Sequence, residues 1–204
     1  MTLVNPAPNF MPMNMKKNNT SSFDKRWINF LYTTSTGTAK IRNLLTPLGV
    51  IIFGSFVFIF VVASIYTDYI LNLPKFGLNV WNIIISALFL IFGLFCIGWS
   101  VIHFLRVKGT PVPLNPPPKL VCKGPYAYTR NPMLTGIYLF LFGIGFGISN
   151  LSLILIFTPL FIIINTIELK MIEEPELEKR LGKDYLAYKK RTPMYFPRLR
   201  SVLR

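Results

Sequence analysis

Apolar residues come in three long runs, separated by short basic segments. Residues 44–66 carry no charge over 23 positions. A helix needs about 20 apolar residues to cross the hydrocarbon core of a bilayer, so this run predicts a first span. Residues 78–105 are uncharged apart from His103 and predict a second. Residues 133–167 form one uncharged run of 35, too long for an ordinary span. Ser149-Asn150 is a turn signal near its middle and divides it into 133–149 and 151–167. Each arm is about 17 residues, the lower limit for crossing. A re-entrant pair that stops short of the far interface is the other arrangement these lengths allow. The expected fold is all-α, an integral membrane protein of about four transmembrane helices with the last two a short hairpin.

Shorter patterns flank the runs. Residues 1–22 are rich in Asn, Pro, Met and Thr and read as disordered. Phe23, Trp27, Phe30 and Leu31 recur at helical spacing and fit a short helix lying on the membrane surface. A basic arm without fixed structure fits so short a pattern as well. The expected organisation is therefore a basic arm, 1–43, and a membrane domain, 44–204. Near the other end, Leu177, Leu181, Tyr185 and Tyr188 recur at i, i+4, i+8 and i+11, an amphipathic C-terminal helix. Glu176 with Arg180 and Arg180 with Asp184 form i,i+4 pairs on its polar side. Pro175 disfavours a helical conformation at Glu174 and predicts a kink there.

Composition narrows the class. The chain of 204 residues is 52% hydrophobic and 15% charged, with mean hydropathy +0.48. A soluble domain carries roughly 25% charged residues. Disorder along the whole length is excluded by the apolar content, and a disulfide scaffold by having only two cysteines. The 22 Lys and Arg outnumber 8 Asp and Glu, for a net +14. That excess raises nucleic acid as a partner, but the cations flank the uncharged runs, as in the basic cytoplasmic loops of membrane proteins. Lys16, Lys17, Lys25, Arg26, Lys40 and Arg42 precede the first run. Arg106, Lys108, Lys119, Lys123 and Arg130 lie in 106–132, without an acid. Only Lys75, facing Asp68, lies in the 67–77 loop. Four spans with both termini cytoplasmic thus keep 21 of the 22 cations inside, in a bacterial inner membrane or the endoplasmic reticulum. No cleavable signal peptide is expected, because the first apolar stretch starts late and is long enough to span.

Several features carry little chemistry. Cys96 and Cys122 read as free thiols, and no histidine close in sequence activates Cys122. His103 is the single histidine; it cannot build a zinc site alone, no Cys/His/Asp cluster has metal spacing, and interfacial hydrogen bonding is its expected role. The glycines at 143, 145 and 147 lie in an apolar run with no preceding strand, so they are not a dinucleotide loop. Gly143 and Gly147 fit a small-xxx-small helix contact.

Two polar clusters remain, both expected on the cytoplasmic side. The first, 109–136, opens with five prolines between Pro111 and Pro118, a stiff, extended stretch. Gly124-Pro125 marks a turn, followed by Tyr126 and Tyr128. Asn131 is a good N-cap and Pro132 suits the first helical position. The helix start has unsatisfied N–H groups and a partial positive charge. With Arg130 beside it, it attracts an anionic group, a carboxylate or phosphate; binding of lipid head groups is the plainer use of such an arginine. The second cluster is Glu173-Glu174-Pro175, expected just past the fourth span, where five of the eight acids fall between Glu168 and Glu178. Carboxylates beside the bilayer core are costly unless paired, so a cationic ligand or Arg130 is their natural partner.

The segment PPPKLVCKGPYAYTRNPMLTG resembles the cofactor-binding motif of the isoprenylcysteine carboxyl methyltransferase family, within a wider group of small membrane methyltransferases that includes phospholipid N-methyltransferases. Glu173-Glu174 and the tail with Tyr185, Tyr188, Pro193 and Pro197 continue the likeness over about residues 106–198. The resemblance implies S-adenosylmethionine as methyl donor, bound in a cytoplasmic cofactor pocket. On it, Arg130 and Asn131-Pro132 take the donor's carboxylate, and Glu173 and Glu174 hold the ammonium or favour the sulfonium. Tyr126 and Tyr128 line the adenosine or face the sulfonium, and Leu120, Val121 and Gly124 supply backbone contacts. Arg130, Glu173 and Glu174 are the expected catalytic residues, and no metal is expected. The expected partners are membrane lipids and an amphipathic or lipid-like methyl acceptor of the isoprenylcysteine carboxylate type, with phospholipid N-methylation as the alternative. Many members carry His where this chain has Asn131; a carboxylate acceptor needs no base, whereas an amine acceptor must lose a proton. An NADPH-dependent sterol-type membrane reductase is a further reading, but 130–137 lacks that class's Asn-Tyr pair and the Glu after glycine. A non-catalytic relative is the last.

Overall fold

The computed structural model describes residues 22–77, 79–107, 110, 115, 117 and 119–197, with only the backbone of Ser22, Phe23, Ala39 and Arg42. The expected disorder at the N-terminus and most of the proline-rich stretch lie outside these. Among the described residues all regular structure is helical. Helix α1 is Ser22–Ser35, α2 Ala39–Ile70 and α3 Val80–Arg106. After a 3-10 turn, Gly124–Ala127, come α4, Pro132–Gly147, and α5, which runs unbroken over Leu153–Leu181. Helix α6 is Lys183–Arg191. Three helical stretches, Asn43–Ile70, Val80–Arg106 and Leu153–Leu181, are long and apolar enough to cross a membrane, and α4 is a shorter apolar helix. The chain is an integral membrane protein, and about four spans fit this architecture.

The hairpin turns where its sequence indicates. Ser149 takes φ +53, and the Asn150 side chain accepts a hydrogen bond from the Leu153 N–H at 2.6 Å. Asp68, at the end of α2, does not serve Lys75. Its carboxylate accepts from the Leu151 and Ser152 N–H groups at 3.0 and 2.9 Å. A negative charge thus satisfies orphan donors at the start of α5 and complements its dipole.

Helices α3 and α4 pack backbone to backbone. A Cβ at Gly93 would sit 2.8 Å from the Gly136 carbonyl oxygen, and one at Gly136 2.7 Å from that of Gly93. Ser86 donates to the Gly143 carbonyl at 2.8 Å, and a Cβ at Gly147 would meet its hydroxyl at 2.8 Å. Small residues permit such close approach where lipid offers no hydrophobic drive for helix pairing. Tyr138, Leu141, Leu153 and Phe161 form the buried core, with Phe53, Phe56, Phe60 and Phe157 packed round it. Ile51, Phe58, Ile59, Ile83, Ile91 and Phe92 face outward, toward lipid.

The fourth span does not stop at residue 167, and Pro175 does not break the helix. Two π turns, Leu153–Phe157 and Leu169–Glu173, lie within α5. Each is followed by one residue and then a proline, Pro159 or Pro175. In them the Thr158 N–H bonds Leu153 O, and the Glu174 N–H bonds Leu169 O. The hydrogen-bond ladder shifts register just where proline has no N–H to offer, so the helix continues. Glu173 and Glu174 therefore sit on α5 itself. The amphipathic C-terminal pattern, by contrast, is not one helix: Gly182, at φ +57, breaks it between Leu181 and Lys183. The expected Arg180–Asp184 pair is lost with it. The expected pair of Arg180 with Glu176 is present at 2.8 Å, and Arg180 also donates to the Pro117 carbonyl at 3.2 Å.

Candidate active site

A cleft opens where the 119–131 segment, the last turns of α5 and helix α6 meet. Leu120, Val121, Tyr126, Arg130, Asn131, Glu173 and Glu174 all line it. Its cavity is about 100 Å³, and with the open mouth the empty space reaches about 680 Å³.

Arg130 pairs with Glu174, and both side chains are largely buried. The other Glu174 oxygen lies 2.6 Å from the Lys189 ammonium, which also reaches Glu178 at 2.8 Å. Such a pair repays the desolvation of its charges only with good geometry and further hydrogen bonds. The buried Arg130 Nε has no hydrogen-bond partner among the described residues. Glu173 lines the cleft but takes part in none of the described ion pairs.

The chain's tail holds the arginine segment. The Arg130 and Asn131 N–H groups donate to the carbonyls of Pro193 and Met194 at 2.9 and 3.2 Å, and Thr129 Oγ1 donates to Met194 O at 2.7 Å. Asn131 stands at the N-cap position of α4 and Pro132 at its first turn, as expected, but the Asn131 side chain makes no capping bond. It turns to Met194 O at 3.4 Å.

Tyrosines wall the cleft. Tyr188 donates to the Tyr126 carbonyl at 2.7 Å, and Tyr185 lies beside Arg130 and Glu174. Burial pushes the hydroxyl pKa values of Tyr126, Tyr185 and Tyr188 above the ordinary tyrosine value. All three are therefore neutral hydrogen-bonding groups at physiological pH.

Three expected site residues lie elsewhere. Gly124, at φ +60, packs on His103, whose Nε2 would be 2.0 Å from an added Cβ. His103 is thus a packing partner of the turn; its buried Nδ1 makes no hydrogen bond among the described residues. Tyr128 and Pro132 face a second groove of about 360 Å³, lined also by Cys96, Trp99, Thr129, Thr135 and Tyr195. The two sides of one short segment thus serve two cavities. Sequence reasoning missed Lys189 and Arg180 as charged residues of the site, and Trp99 and Tyr195 of the groove. The spaced tail tyrosines and prolines were the available signal for that end. Among the described residues no cluster of His, Cys, Asp and Glu could hold a metal ion, and both cysteines are free.

No curated protein and no solved structure matches the chain. A family model described as phospholipid methyltransferase matches residues 81–184, from the start of α3 to the start of α6 and across the cleft apart from Tyr185 and Tyr188. The chain therefore belongs to the phospholipid methyltransferase family and is a membrane methyltransferase.

Proposed function

We propose that the chain uses S-adenosylmethionine to methylate an amine-bearing membrane lipid at the cytoplasmic face, with residues 44–204 as the catalytic domain. The observation that carries the donor assignment is Arg130, whose buried Nε–H finds no acceptor among the described residues. An unmet buried donor costs about 1–3 kcal/mol, and a ligand carboxylate removes that cost. S-adenosylmethionine supplies an electrophilic methyl on a sulfonium, together with a carboxylate and an ammonium group. Arg130, with Asn131 beside it in the cleft, holds the carboxylate. Glu174, already shared by Arg130 and Lys189, fixes the arginine. Leu120, Val121 and Tyr126 wall the nucleoside. The enclosed cavity is smaller than the usual 300 Å³ or more of a ligand site, so the donor extends into the mouth of the cleft.

The second groove supports the choice of acceptor. Trp99, Tyr128 and Tyr195 line it, and among the described residues no basic side chain does. Aromatic faces attract an amine head group, whereas a carboxylate finds no cation among the described residues there. For transfer the amine must pass from this groove to the mouth of the donor cleft, where Glu173 lines the wall and accepts the proton that the nitrogen gives up as its lone pair takes the methyl. The carbon–sulfur bond breaks and the positive charge on sulfur is discharged. Positioning and exclusion of water carry most of the rate. The isoprenylcysteine carboxylate reading keeps one observation in its favour: Lys119 and Arg180 line the donor cleft and can receive a carboxylate, which needs no base. The excess of cations near both termini supports their cytoplasmic placement.

Methyl-labelled donor offered with phosphatidylethanolamine and with a prenylcysteine separates the two. The amine lipid is expected to be labelled, with kcat falling at least tenfold in Glu173→Gln. Label in the prenylcysteine alone, undiminished by Glu173→Gln, would move the carboxylate reading to first place.

A further inference from the structure

Trp99 and Tyr128 form a wedge in the second groove. Their ring centroids lie 6.4 Å apart and their planes are inclined at 46°. Tyr195 lines the same groove. Its hydroxyl lies 2.9 Å from Thr166 Oγ1 and 3.4 Å from the Tyr138 hydroxyl, which hold the ring in place. A cation seated between the first two rings can lie within about 6 Å of both centroids, the reach of a cation–π contact, and tryptophan is the strongest ring for one.

The groove offers a cation little else. All eight acids of the chain lie within the described residues, and none of them lines it. The Thr129 and Thr135 hydroxyls donate to the Met194 and Asn131 carbonyls at 2.7 and 3.0 Å. The Pro125 carbonyl already accepts from the Tyr128 and Thr129 N–H groups at 3.2 and 3.3 Å. A primary ammonium brings three N–H donors, and each one buried without an acceptor costs free energy. A quaternary ammonium brings none, and its methyl groups gain by leaving water. Attraction to the rings is common to both ions, so the demand for hydrogen bonds separates them.

We propose that the groove is a site for a quaternary ammonium head group, with Trp99 and Tyr128 as its specificity-determining residues. A lipid amine is then held more tightly with each methyl it gains. This deepens the amine-lipid reading above and rests on it for one consequence: the fully methylated lipid is the tightest occupant and slows turnover.

The site is tested on the full chain in dodecyl maltoside, without donor or lipid acceptor. A Trp27→Phe, Trp81→Phe background makes emission report Trp99 alone. Tetramethylammonium and methylammonium chlorides are titrated at constant ionic strength, and circular dichroism checks that each variant keeps its helices. Tetramethylammonium is expected to change the emission saturably, and methylammonium to bind at least about tenfold more weakly, as unmet donors require. Tyr128→Leu is expected to weaken tetramethylammonium at least about threefold, as loss of one cation–π contact requires. Equal affinity for the two ions would overturn the preference. No saturable change, or an unaffected Tyr128→Leu, in folded protein would overturn the wedge. For the consequence, dihexanoylphosphatidylcholine is expected to compete with phosphatidylethanolamine in the methylation assay, and absence of inhibition would overturn it. If no amine lipid is methylated, the acceptor reading fails, while the tetramethylammonium titration still decides the site.

Discussion

Glu174 of α5 pairs with Arg130, which stands 44 residues earlier just before α4, and both line the cleft. The arginine is thereby fixed beside the start of α4, and its Nε–H finds no acceptor among the described residues. Lys189 takes the remaining Glu174 oxygen from α6. One carboxylate therefore ties three elements together.

Removing that carboxylate strands a buried guanidinium. Glu174→Ala is expected to cost about 3–5 kcal/mol, the penalty for breaking a buried pair from one side. Lys189→Ala removes a side chain that is 35% exposed and is expected to cost about 1 kcal/mol or less. Denaturation in mild detergent ranks the two. Equal losses would mean that the pair contributes no more than a surface contact.

The cleft also sets an alkaline limit. Burial raises Tyr126, Tyr185 and Tyr188. Burial lowers Lys189, but its bonds to Glu174 and Glu178 outweigh this and its net shift is upward. A folded-state pKa above the unfolded value contributes stability that is complete below the unfolded pKa and is lost as pH rises through the folded one. With unfolded values of about 10 for tyrosine and lysine, the chain is expected to hold full stability below about pH 10 and to lose it above. Tyrosinate absorbance and helicity followed together check this. Ionisation of all nine tyrosines near pH 10 without loss of helix would contradict it.

Gly124 joins two requirements in one residue. Its φ of +60 belongs to the left-handed region, and His103 fills the space of a side chain. Gly124→Ala is expected to cost about 2 kcal/mol or more, of which about 1–2 is backbone strain. Adding His103→Ala is expected to restore the part due to the clash and leave the strain. A double variant no more stable than the single one would show that His103 yields without cost.

Much of this fold is legible in the chain because lipid enforces simple rules. Uncharged runs marked α2, α3 and the α4–α5 hairpin, and Ser149-Asn150 marked its turn. The Arg130–Glu174 partnership followed from the expense of isolated charges beside a bilayer. What stayed hidden depends on register and on distant partners. The proline rule forecast a kink at Glu174, but a π turn moves the ladder so that Pro175 fits. The spacing of Leu177 through Tyr188 forecast one helix, but Gly182 folds it back and brings Lys189 to Glu174. Asp68 caps a helix 83 positions away, which no local pattern encodes. Tyr126 and Tyr128, two apart, face different cavities.

The most direct measurement is calorimetric titration of the detergent-solubilised chain and of Arg130→Ala with S-adenosylmethionine, S-adenosylhomocysteine and NADPH, with helicity checked in both. Both adenosyl ligands are expected to bind and NADPH not to. The substitution is expected to weaken S-adenosylmethionine and S-adenosylhomocysteine at least about tenfold, as loss of a charged hydrogen bond of about 1.5–3 kcal/mol requires. NADPH binding alone, or adenosyl affinity unchanged in folded Arg130→Ala, would contradict the assignment of the cleft.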